Sequence, residues 1–166
     1  MRKTAPAIII AVLVVLATAG VTAYYVSHSG PPGSNNSQCS DPGSISGHVY
    51  NPYRLTIVKS CITASGVVDN VLQEADGDYH VRLRLDSQYS NLTNAGNQHQ
   101  YGDLVVEIIC ALPITQSDAI SACQNYTDNI TIPSISDHIT VTGPYVLDTN
   151  HYDWAEIHPV YTLTIS

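Results

Sequence analysis

The fold class this sequence predicts is mainly β, five strands behind one N-terminal transmembrane helix, and three observations predict it. After residue 48, runs rich in β-branched residues alternate with Gly, Pro, Asn and Asp turn signals. One short amphipathic helical pattern interrupts those runs, and it does so after the third of them. Residues 5–26 are almost wholly apolar and lie directly behind Arg2 and Lys3.

The apolar run comes first in the chain. About 20 such residues are what an α-helix needs to cross roughly 30 Å of hydrocarbon, and cations ahead of it favour a cytoplasmic N-terminus. Tyr24 and Tyr25 suit a membrane–water interface. Val21-Thr22-Ala23 has the small-residue pattern of a signal-peptidase site, so a cleaved secretory leader is the alternative, although the run exceeds the usual core of about 7–15 residues. Either way residue 27 onward is exported. The expected organisation is an anchor or signal segment over 1–26, a Gly/Pro/Ser/Asn linker over 27–47 with too little apolar content to pack, and an extracytoplasmic domain over 48–166.

Five strands are expected in that domain: Leu55 to Val71, Tyr79 to Leu85, Asp103 to Cys110, His138 to Val146 and Ala155 to Ile165. In the second, Val81, Leu83 and Leu85 alternate with His80, Arg82 and Arg84, the period of a half-buried strand. Asp76-Gly77 between the first two runs predicts a tight antiparallel hairpin, since Gly tolerates positive φ. Thr115-Gln-Ser-Asp118 resembles a capping box, and Ala119, Ala122, Cys123 and Tyr126 follow at helical spacing. Three strands, a helix and two strands is the order of an OB-like Greek-key barrel, in which strands one and four are neighbours. An immunoglobulin-like sandwich ranks second, because it needs about seven strands and no internal helix.

Cys39, Cys61, Cys110 and Cys123 all lie beyond the apolar run, where thiols oxidise. Four cysteines allow three pairings; Cys110 and Cys123 bracket one short connection and are the natural pair, leaving Cys39 with Cys61. The absence of Cys-x-x-Cys spacing argues against a cysteine-rich metal site. Asn35, Asn91, Asn125 and Asn129 head Asn-x-Ser/Thr sequons, the acceptor pattern of a surface glycoprotein. Beyond residue 26 only Arg54, Lys59, Arg82 and Arg84 face all fourteen acidic residues, so nucleic acid is not an expected partner.

Arg54-Leu55, Cys61-Ile-Thr-Ala-Ser-Gly66, Asp76-Gly-Asp-Tyr-His80, Gly102-Asp-Leu-Val-Val-Glu107, Val141-Thr-Gly-Pro-Tyr-Val-Leu-Asp148 and Glu156-Ile-His-Pro-Val160 together resemble a set of uncharacterised exported microbial proteins with an OB-like barrel. The resemblance spans most of residues 54–165 and is most specific at Glu-Ile-His-Pro-Val. It implies the fold and export, and no activity.

Two polar clusters carry the chemistry: Asp76, Asp78 and His80, and Trp154, Glu156 and His158 with His151 and Asp153 just before. On the fifth strand Glu156 and His158 share the parity opposite to Ile157, so both are expected to leave the core together. Imidazole and carboxylate suit Zn²⁺ or Cu²⁺, which makes His80, Glu156 and His158 the candidate metal ligands and a divalent metal the one cofactor in view. No Gly-x-Ser-x-Gly elbow, phosphate loop or His-Glu-x-x-His is present, and no catalytic residue is assigned. A nuclease-like alternative has Asp76, Asp78 and Glu107 hold a divalent cation while Arg82 or Arg84 steadies a phosphate. The leading expectation is a membrane-tethered extracellular binding or surface-structural module for carbohydrate, peptide or a surface protein. Its ligand face is His80, Arg82, Arg84 and Glu107, with Tyr89 and Tyr101 from the Asn/Gln-rich connection 86–102.

Overall fold

β-strands dominate the computed structural model, which describes residues 40–166. The expected anchor, Cys39 and the Asn35 sequon lie outside the described residues. Among the described residues no helix is long and apolar enough to cross a membrane.

Six strands form one sheet: β1 Leu55–Gln73, β2 Tyr79–Leu85, β3 Leu104–Ile108, β4 His138–Asp148, β5 Trp154–Ile157 and β6 Thr162–Ile165. The pairing order is β1-β2-β3-β5-β4-β6, and β1 also pairs with β4, so the first five strands close into a ring. Every ring contact is antiparallel except β3 with β5, which is parallel. β1 closes the ring because it is long: residues 55–67 follow β4 and residues 66–73 follow β2. Gly66 pairs on both sides, and a Cβ there would collide with the Arg84 carbonyl of β2. Register shifts along β1 add the local bends that such a curve requires.

The expected fifth strand is two. Its first half lies between β3 and the end of β4, and after Pro159 the chain pairs with the beginning of β4 as β6. Proline has no N–H to give a ladder, which interrupts pairing at that point. Gly143 of β4 makes the passage possible, since a Cβ there would meet the Pro159 carbonyl. The helical pattern after Thr115 is realised as successive i,i+3 turns, Ala119 on Gln116, Ala122 on Ala119 and Tyr126 on Cys123, with Ala119 buried.

Alternation on the strands sorts the core. Val81 and Leu83 of β2, Leu104, Val106 and Ile108 of β3, Val141 of β4 and Ile157 of β5 belong to one fully buried apolar cluster. The opposite face of β3 is covered too. Ile45 from a 3-10 segment at Pro42–His48, Val49, Ile109 and Cys110 make a second, smaller cluster, against which Cys123 and Tyr126 pack. The end of the expected linker is therefore part of the folded domain. The Cys110–Cys123 disulfide, with Cα atoms 5.4 Å apart, ties the β3–β4 connection down there. Cys61 is also disulfide-bonded.

Candidate functional site

Strands β2, β3 and β5 and the turn after β5 carry a row of buried polar side chains. His80 of β2 sits opposite Glu107 of β3, and on the other side of β3 Val105 sits beside Glu156 of β5. The Val160 N–H donates to the Glu107 carbonyl at 2.9 Å, which carries His158 alongside the same strand. Glu156 and His158 do leave the inner core together, as their parity predicts. They do not reach solvent: Glu156 is 1% and His158 2% exposed.

Two imidazole–carboxylate pairs result. His80 Nδ1 is 2.8 Å from Glu107 Oε1, and His158 Nδ1 is 3.0 Å from Glu156 Oε2. The second His80 nitrogen is 3.0 Å from Gln100 Oε1. The Trp154 indole N–H donates to Glu156 Oε1, its ring stacks on His151, and its edge meets His80. Burial disfavours the charged form of His80, yet its bond to Glu107, helped by Gln100 and Glu74, raises it to about 9. For Glu107 burial acts upwards and is outweighed by His80, so this carboxyl lies below its ordinary value. Burial likewise opposes the charged form of His158, and Glu156 overcomes it and raises the ring.

The hairpin tip shapes one end of this row. Gly77, at φ +102°, reverses the chain as expected of Asp-Gly, and its carbonyl accepts from both Ala111 and Leu112 N–H. Asp78 accepts the Cys110 N–H at 2.7 Å. Burial, then the charges of Asp76 and Glu107, push the Asp78 carboxyl up to about 8. Arg54 pairs with buried Asp148, which also lies 2.8 Å from His151 Nδ1. An open groove of about 440 Å³ runs over this end, lined by Tyr50, Arg54, Glu74, Asp76, Gln116 and His151 among others.

The sequence-predicted residues are thus redistributed. His80 and Glu107 are buried against each other and do not form an exposed face with Arg82 and Arg84. The Arg82 guanidinium lies 4.4 Å from the ring centre of Tyr101 and its Nε is 3.9 Å from Asp103, while exposed Arg84 pairs with Asp69. Of the nuclease-like set, Asp78 accepts the Cys110 N–H, Glu107 pairs with His80, and Arg82 and Arg84 face Asp103 and Asp69. The Asn/Gln-rich connection folds into two 3-10 segments, Ser87–Leu92 and Ala95–Gln100. Fully buried Asn97 pins the second of these to β5 by exchanging hydrogen bonds with the Ala155 backbone. Asn91, Asn125 and Asn129 are exposed.

Glu107 joins the metal candidates, because Glu107, Glu156 and His158 each offer a donor atom within 4.8 Å of the others. The convergence of Glu107, which stands outside both polar clusters of the sequence, with Glu156 and His158 follows from the parallel β3–β5 register, for which no local signal exists. Arg54, Asp148 and Gln100 were missed as members of the network. Only the position of Asp148, a carboxylate at the end of an apolar strand, hinted at it. No family model matches this chain, and no curated protein does.

Proposed function

We propose that the chain is a membrane-tethered, exported binding module on an OB-like barrel, and that it holds a hydroxyl-rich carbohydrate ligand. The groove of about 440 Å³ carries this reading. Its walls offer the Arg54 guanidinium, the Glu74 and Asp76 carboxylates and the Gln116 amide beside the Tyr50 ring, donors, acceptors and an aromatic surface within one cleft. Sugar hydroxyls need that mixture. The closed five-strand ring with parallel β3 and β5 supports the barrel assignment, and the Cys110–Cys123 disulfide suits an oxidising compartment. The apolar residues 5–26 supply the tether and the exposed sequons suit a glycosylated surface.

Screening the full-length chain, purified in detergent, against an oligosaccharide array tests the reading. Binding is expected, with at least tenfold loss in Tyr50→Ala and in Gln116→Ala, both at the groove edge. Absence of any carbohydrate binding, or binding indifferent to both substitutions, overturns it.

A further inference from the structure

Two atoms of the buried polar row have no hydrogen-bond partner: Glu107 Oε2 and His158 Nε2. Buried polar atoms in folded proteins are nearly always paired, because an unmet donor or acceptor forfeits its hydration. Here two such atoms belong to one cluster. Glu107, Glu156 and His158 bring one donor each within 4.8 Å of the others, and all three side chains are more than nine-tenths buried.

We propose that Glu107, Glu156 and His158 form a site for one divalent transition-metal ion, with Zn²⁺ the ion their donors suit best. One imidazole and two carboxylates are a borderline-hard set, and three protein ligands leave a coordination position for water or another oxygen donor. Glu107 and His158 each have one atom free and one held, and both Glu156 oxygens are already oriented by hydrogen bonds. His80 fixes Glu107 through Oε1, Trp154 fixes Glu156 through Oε1, and His158 Nδ1 is hydrogen-bonded to Glu156 Oε2. Outer contacts of this kind are what orient ligands around a metal.

The geometry changes the ligand set expected of the sequence. Both ring nitrogens of His80 are engaged, by Glu107 and by Gln100, so His80 is a positioning residue and Glu107 takes its place as ligand. Two other groups lie nearby: Asp78 with Cys110 and Cys123 is excluded because its sulfurs are bonded to each other, and Glu74 with His80 and Glu107 because both His80 nitrogens are engaged. A mostly apolar cavity of about 250 Å³, lined by Val49, Leu55, Val146 and Tyr161, reaches His158. This inference is independent of the carbohydrate groove.

The test uses the full-length chain, stripped with chelator and titrated with Zn²⁺ by calorimetry, with elemental analysis after gel filtration. One Zn²⁺ per chain and a raised melting temperature are expected. Affinity should fall at least tenfold in His158→Ala and in Glu107→Gln, and be retained in His138→Ala, which removes a histidine paired with Asp86. No stoichiometric ion on the wild type, or uptake unchanged in His158→Ala, overturns the proposal. Should the buried substitutions prevent folding, X-ray absorption at the zinc edge of the loaded wild type decides. One imidazole with oxygen donors supports the site, whereas several imidazoles, or sulfur, overturn it.

Discussion

Asp78 carries an ordinary carboxyl value of 3.8 when unfolded and about 8 in the folded domain, where burial and the charges of Asp76 and Glu107 oppose its ionisation. A folded value above the unfolded one means that the folded state holds the proton more tightly. Its contribution is fully present below 3.8 and is lost as pH rises through about 8. Asn mimics the protonated acid and can still accept the Cys110 N–H. The melting temperature of Asp78→Asn relative to wild type should therefore climb steadily between pH 4 and pH 8. A constant offset across that range would contradict the assignment. At the centre of the ring, Leu83 is fully buried, and Leu83→Ala should cost about 2–5 kcal/mol in denaturant unfolding, the range for a truncated core side chain. The alternation of β2 made both faces of that strand readable from sequence. It could not show that His80 is buried while Arg84 on the same face stays exposed, because Gln100 and Trp154, which meet His80, come from far along the chain.

At the scale of elements, the second strand was read to the residue, and the fifth was read as one strand where there are two. Pattern alone continues through Ala155 to Ile165; Pro159 and the approach of Gly143 divide it. A Gly143→Ala variant should lose about 1–3 kcal/mol by overpacking against Pro159 and Ile157, measured by chemical denaturation. Wild-type stability in that variant would mean that β4 yields at this crossing. The Cys110–Cys123 link closes a separation of 13 residues, for which the chain-entropy model gives about 3 kcal/mol. Replacing both cysteines by serine should lower stability by about that amount, with a larger effect on protease sensitivity in the turns after Thr115 than in β2 or β3.

For the molecule as a whole, the ring depends on pairings between distant segments, above all residues 55–67 with 138–148 and β3 with β5. The proposed export is tested at this scale. Expressed in full, the chain should fractionate with membranes, expose its disulfide-bonded domain to protease added outside intact cells, and resist thiol alkylation before reduction. Recovery as a cytoplasmic protein with reactive thiols would remove both tether and surface role.

Local chemistry in the sequence was sufficient for the strand faces, the Asp-Gly hairpin, the natural cysteine pair and the two polar clusters, since each depends on neighbours a few residues apart. Convergence of those clusters was decided by tertiary structure. The parallel β3–β5 register sets Glu107 beside Glu156 and His158, and all three are buried in the folded domain. Sequence spacing carries no record of a register between strands separated by some fifty residues, nor of which polar face a distant segment will bury.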